Sequence, residues 1–358
     1  MPKKEVKKFP KQITKKSLII LISVIFILII SGIYLRDFIK EKYSEKIPVC
    51  GDGSLYSECS LRKPYFCLNG TLVEKASICG CPDILTKQGE LCVSKYQIKP
   101  KNITLEYVLR GEKKEINYIV YGGMMDYISN LPNSIYSDNG KKPSRGDFKI
   151  RNLDEKEQRE LLLPLVTEIQ NTAKNKLDQM RIAVSIVQKI PFGNSNKTIS
   201  IGPNQKITYS RYPYEVLYEM QGVCGEKSEL LAFLLREMGY GVVFFYYGLE
   251  NHEALGIKCP EKYGVGETGY CFVETTGPSV ISNNQIEYVQ GLKLSSEPEL
   301  ILFLDGDSLG KDLYEYKDAK DIIKINKEIE KKGQINFFQN RKLQKLKKKY
   351  GLEEFYNT

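Results

Sequence analysis

The 358-residue sequence predicts an α+β protein, a helix packed on an antiparallel sheet, preceded by a membrane-spanning helix and a small disulfide-rich module. Three observations predict it. A Leu-rich helical pattern opening at Cys224 is followed directly by three strand-like runs. A lysine-rich tail precedes nineteen residues without a charge, Ser17 to Leu35. Six of the nine cysteines crowd into one 43-residue block.

Composition sets the class. With 42% hydrophobic and 27% charged residues the chain is globular rather than disordered. The formal charge of +9 is concentrated at the start, where residues 1–16 carry seven lysines and one glutamate. The remainder is nearly balanced, so no basic patch for phosphate is evident and no nucleic-acid partner is predicted. At 1.5 Å per residue the uncharged run comes close to a ~30 Å hydrocarbon core. The lysines ahead of it predict a cytoplasmic N-terminus. No small-x-small site follows, so the run reads as an uncleaved signal-anchor rather than a cleaved signal peptide. The expected organisation is a basic tail (1–16), the anchor (17–35), a stalk (36–48) and a cysteine module (49–95). A β-rich segment (96–150), a core (151–295) and a C-terminal strand with basic helices (296–358) follow. Everything after residue 36 is expected outside the cytoplasm, in a single-pass cell-membrane protein.

The cysteines divide into six, two and one. Cys50, Cys59, Cys67, Cys79, Cys81 and Cys92 lie among turn residues with few apolar runs, a composition that needs covalent staples. Their spacings lack the paired C-x-x-C clips of a zinc ribbon, so three disulfides are expected, with fifteen possible connectivities. The block resembles small cysteine-rich modules of exported archaeal proteins. A spacer role is expected over surface binding. Cys259 and Cys271 flank "PEKYGVGETGY" between two strand-like runs, and a bond across the neck of that hairpin is expected. Cys224 is left over. In an exported protein a leftover cysteine is accidental or reactive.

Along the chain, "NITLEYVLRG" and "EINYIVYGG" alternate apolar and polar residues, predicting two strands of a hairpin. The polar stretch "SDNGKKPSRGD" reads as a separator. From Asp154 to about Val187 the apolar spacing is helical, with a break near Asn175. After Cys224, Leu231, Leu234, Leu235 and Met238 share one helix face, and Gly239 ends the helix. Strands are then expected at "GVVFFYYG", "HEALGIKC" and "YCFVETT", and a further short one at "ELILFLDG". The basic C-terminal helix with Arg341, Lys342 and Lys345 reads as a solvated face.

His252 is the only histidine in the chain. A cysteine becomes a useful thiolate beside a base, and a helix N-terminus adds favourable potential at the sulfur. Glu226 opposes this, because a nearby carboxylate raises a thiol pKa. Gly222 and Gly225 are expected to leave room for a substrate backbone. Glu274, on the strand after His252, is placed to orient the imidazole. Cysteine on a helix, histidine on a strand and carboxylate on the next strand together point to nucleophilic catalysis.

"GVCGEKSELLAFLLREMGYGV", "NHEALGIK" and "YCFVETTGP" resemble the core of the transglutaminase-like superfamily, relatives of papain-like cysteine proteases, here of an archaeal membrane-anchored type. The likeness covers roughly residues 176–280, including "MRIAVSIVQKIPF" and "RYPYEVL". It implies Cys224 as nucleophile, His252 as base and acid, and Glu274 as orienting carboxylate. The superfamily usually has aspartate at the last position, and often tryptophan two residues after the histidine, where this chain has Ala254. The chain has no tryptophan, so the oxyanion hole is expected from the Cys224 N–H with Gln221 or Tyr218. The resemblance implies a cysteine peptidase or amidase, or an acyltransferase if an amine replaces water, with a protein or peptide substrate. Hydrolysis is the first expectation. No cofactor or metal is expected. The opposed expectation is an inactive cell-surface scaffold. A zinc protein is a third, which would need Cys259 reduced beside His252.

Overall fold

The computed structural model describes residues 49–132, 144–195, 198–200, 206–208, 210–282 and 294–354, together with Phe26, Ile29 and Ser31. The chain forms two units, Met1–Pro48 and Val49–Thr358. In the first, the three described residues are helical, and the rest of the expected anchor Ser17–Leu35 lies outside the described residues, as does the basic tail. Among the described residues no helix is long and apolar enough to cross a membrane. The fold class is corrected accordingly: the structure is α+β, with small sheets and four disulfides, and with no membrane-spanning helix among the described residues.

The second unit opens with the cysteine module. Strand β1 (Tyr65–Leu68) pairs with β2 (Thr71–Glu74), a single helical turn α1 (Ala76–Cys79) follows, and β3 (Thr86–Gln88) pairs with β4 (Leu91–Val93). The bonds are Cys50–Cys67, Cys59–Cys79 and Cys81–Cys92. Its own buried cluster is only Cys50, Tyr65, Cys67 and Leu72, which is why it needs staples. It is also docked rather than free. Arg62 Nη1 donates to Gln170 Oε1 (2.9 Å) and Nη2 to the Glu237 carbonyl (2.9 Å).

Strands β5 (Pro100–Leu109) and β6 (Glu112–Tyr121) form the long hairpin, turning at Arg110 and Gly111, both at positive φ. Helices α2 (Gly122–Ser129), α3 (Arg145–Asp154), α4 (Lys156–Thr172) and α5 (Lys176–Lys189) follow. The break near Asn175 is a helix start, with its side chain accepting from Leu177 N–H (2.8 Å). Helix α3 occupies part of the expected polar separator. It buries Lys149, Asn152 and Leu153, so its inner face is mostly polar and carries no apolar period. A two-stranded pair, β7 (Thr198–Ser200) and β8 (Lys206–Thr208), precedes α6 (Pro213–Glu219) and α7 (Cys224–Glu237). Strands β9 (Val242–Tyr247), β10 (His252–Lys258), β11 (Tyr270–Val273) and β12 (Glu299–Leu304) and helices α8 (Tyr314–Lys332) and α9 (Phe337–Tyr350) complete the unit.

One antiparallel sheet, ordered β11-β10-β9-β12, carries the core. Alternation divides it cleanly. Val242, Phe244, Leu255, Ile257 and Val273 join Leu230, Leu231, Leu234 and Leu235 of α7 in the main core. Val243, Phe245, Tyr247, Ala254 and Phe272 form a second apolar cluster with Val265. Ile103, Leu105 and Tyr107 of β5 also enter the main core, and β12 completes the sheet beside β9. A boundary at residue 295 therefore cuts β12 from the sheet it belongs to. The basic helix α9 packs on α8 through Leu346 and ties Lys349 to Asp318 (2.6 Å).

The Cys259–Cys271 bond spans 12 residues at the β10–β11 neck, where four residue pairs also hold the strands. Replacing both cysteines by serine should therefore cost at most about 3 kcal/mol and leave unfolding cooperative in a denaturant titration. Loss of the cooperative transition would contradict this packing.

Candidate active site

Helix α7 begins where Val223 stays extended (φ −85°, ψ 172°) and the Glu226 carboxylate accepts its N–H (3.0 Å). Upstream, Gly222 N–H donates to Pro191 O (3.2 Å) and Gly193 N–H to Gly222 O (3.2 Å), so a strap at 191–193 lies against the approach to the helix. Buried leucines pin the helix on the sheet and leave Cys224, its first residue, at the edge. Its thiol is the only one of nine outside a disulfide, and it is partly exposed.

His252 opens β10 and is 7% exposed. Its Nε2 lies 2.9 Å from Glu274 Oε2, and Cys224 is close enough to the ring to raise its pKa. With Nε2 committed to the carboxylate, Nδ1 is the nitrogen left for the sulfur. Glu274 stands just past β11 with no exposed surface. Its Oε1 accepts from Thr275 N–H (2.9 Å), Thr276 N–H (2.8 Å) and the Thr276 hydroxyl (2.7 Å).

These contacts set the charges. Burial alone would raise the Glu274 pKa, but the His252 hydrogen bond and charge and the Thr276 donors outweigh it and hold the carboxyl below 4.5. Burial likewise pulls the imidazole down. Hydrogen bonds to Cys224 and Glu274, with the charges behind them, overcome that and push His252 from 6.5 to about 10. The buried pair is an imidazolium facing a carboxylate.

The spacing is fixed from behind. Thr275 donates its hydroxyl to the Cys224 carbonyl (3.3 Å) and lies 3.1 Å from the Ser228 hydroxyl, tying the head of α7 to the end of β11. Gln188 Nε2 donates to the carbonyls of Glu274 (2.9 Å) and Ser279 (3.2 Å), holding the backbone that carries the longer acid. Glu226 does not act against the thiol as a free charge. Arg211 donates to it from its backbone (2.8 Å) and from Nη1 (2.9 Å).

Three expectations are placed differently. A Cβ on Gly222 would meet Lys227 Cγ at 3.1 Å, and one on Gly225 would meet Glu253 Oε1 at 3.1 Å, so these glycines admit the protein's own side chains. Gln221 donates its amide to Asn194 O (3.1 Å), and the Tyr218 hydroxyl lies 3.4 Å from where a Gly122 Cβ would sit. Gln221 thus lies against the 191–193 strap, where a Cβ on Gly193 would meet its Cδ at 2.9 Å, and Lys101 Nζ sits 4.6 Å over the Tyr218 ring. The Cys224 N–H remains, one of the donors that a helix start leaves without an intrahelical partner. Cys259 is bonded to Cys271 and is no thiolate ligand.

Lys227 was not singled out by sequence, although its place four residues before Leu231 puts it on the buried stripe. It has no exposed surface, and burial drops its pKa to about 7 against the pull of Glu274. Gln188, Thr275, Thr276 and Arg211 carry no distinguishing sequence signal beyond lying in the resembling segments.

No protein-family model and no curated protein matches the chain. A solved structure from Parabacteroides distasonis, described as a "putative protease", aligns at 15% identity over 53% of this chain, with a TM-score of 0.25. The alignment spans 42% of that protein's length. At that score the likeness carries no argument, and the site stands on its own geometry.

The raised His252 pKa has a definite sign. The interaction contributes stability that is complete below the unfolded value of about 6.5 and is lost as pH rises through about 10. The stability advantage of wild type over His252→Ala, measured by denaturant unfolding, should therefore be larger near pH 6 than near pH 10. An equal difference at both would contradict the assigned charge state.

Proposed function

We propose that the protein is a thiol hydrolase of transglutaminase-like, papain-related type that cleaves amide or peptide bonds in an oxidising, extracytoplasmic compartment. The observation that carries the proposal is the buried His252–Glu274 pair at 2.9 Å, with Cys224 beside the imidazole. The sequence resemblance and the order of helix, strand and strand support it. Four disulfides favour an oxidising compartment.

In this reading the Cys224 proton resides on His252 Nδ1, and the sulfur attacks the carbonyl carbon of a peptide substrate. The oxyanion forms beside the Cys224 N–H at the positive end of α7. Collapse breaks the C–N bond, and the imidazolium gives its proton to the departing amine. A water then attacks the thioester while His252 takes its proton. The C–S bond breaks, the acid departs and the proton stays on the imidazole, which restores the thiolate–imidazolium pair. Glu274 holds the ring in one tautomer throughout and stabilises its positive form. An amine in place of water would make the same site an acyltransferase.

Turnover of a fluorogenic peptide library, together with iodoacetamide labelling of Cys224, tests the proposal. Cys224→Ala and His252→Ala should each abolish turnover with the fold retained. Glu274→Gln should lower kcat/KM by about 10²–10⁴-fold, as charge removal does in an analogous serine triad, and Glu274→Asp should be milder. Undiminished hydrolysis by Cys224→Ala would overturn the reading.

A further inference from the structure

One turn beyond the nucleophile, α7 buries a lysine that the chemistry above does not use. Lys227 is 0% exposed, and its Nζ donates to the Ile190 carbonyl. Among the described ion pairs none involves Lys227, whereas the neighbouring Arg211 and Glu226 satisfy each other. A methionine would fill this space without burying a charge, and such replacements in cores are often neutral or stabilising. A lysine here needs a reason beyond packing.

Its surroundings supply one. Ile190 caps α5, and the strap that follows it pairs with Gly222, two residues before the thiol. The stem of Lys227 passes under Gly222, 3.1 Å from where a Cβ would sit. Gln188, two residues before Ile190, holds the Glu274 carbonyl. Glu274 is also the charge that acts on the buried ammonium. Lys227 thus stands among the helix head, the strap and the orienting acid.

We propose that Lys227 is a positioning residue for acylation: its buried ammonium pins the Ile190–Gly193 strap beside Cys224 and adds one positive charge to the surroundings of the Cys224, His252 and Glu274 group. The proposal rests on the thiol-hydrolase reading. A thiolate, an imidazolium and a carboxylate together carry one net negative charge, with the last two members buried and the thiol partly exposed. One ammonium cancels it, so the thiolate forms without leaving an uncompensated charge. With Lys227 neutralised, the thiolate is the member that loses favour, since His252 and Glu274 keep each other.

The test uses the full chain carrying Lys227→Met, which keeps the volume without charge or donor, and Lys227→Gln, which keeps a donor without charge. Near pH 6 the wild-type side chain, with its pKa about 7, is largely protonated. Both variants should remain folded, with a cooperative melting transition. Both should lose at least about tenfold in kcat, a barrier change of about 1.4 kcal/mol, with KM little changed, and iodoacetamide labelling of Cys224 should slow in parallel. If Lys227→Met fails to fold, Lys227→Gln provides the same readouts. Wild-type turnover and labelling in either folded variant would overturn the role, as would activity lost only in step with folded protein. Wild type labelling no faster than a free cysteine at pH 6 would instead refute the thiol-hydrolase reading, and the Lys227 role with it.

Discussion

The structure around Cys224 depends on one interaction, the 2.9 Å contact between His252 Nε2 and the fully buried Glu274 carboxylate. A carboxylate without solvent is costly unless donors and an opposite charge surround it. Three donors from Thr275 and Thr276 meet one oxygen, and the imidazolium meets the other. The arrangement is reciprocal. The ionised acid keeps the imidazole protonated, and the protonated imidazole keeps the acid ionised. Cys224 then faces a cation that does not depend on ambient pH in the neutral range.

That pair is only as well placed as its scaffold. The Leu-rich face of α7 locks the helix on β9 and β10, and the register of β10 against β11 sets His252 relative to the end of β11. Thr275 closes the triangle by binding the carbonyl of Cys224 itself. The Arg211–Glu226 pair offsets a carboxylate near the helix start that would otherwise oppose a thiolate, and Lys149 does the same for Glu253. The sheet is apolar on both faces, so these strands have little freedom to slide.

Much of this was legible because it follows from periodicity and arithmetic. The stripe of Leu231, Leu234 and Leu235, the three strands after it, and the division of cysteines into six, two and one are properties of spacing. What escaped is settled by contacts between distant segments. Disulfide pairing within the module depends on how its hairpins fold back, and spacing alone allows many patterns. Helix α3 turns Lys149 and Asn152 inward to meet Glu229 and Glu253 on other elements, so its pattern looks like a solvated loop. Strand β12 is separated from β9 by more than fifty residues, and only pairing reveals that it belongs to the sheet.

A single histidine makes the central claim directly measurable. Nuclear magnetic resonance of the ¹⁵N-labelled imidazole should show His252 protonated across the neutral range, titrating far above 6.5 and toward about 10. In Glu274→Gln the same resonance should fall by several units. A wild-type His252 that titrates near 6.5, unaltered by Glu274→Gln, would contradict the account at its root.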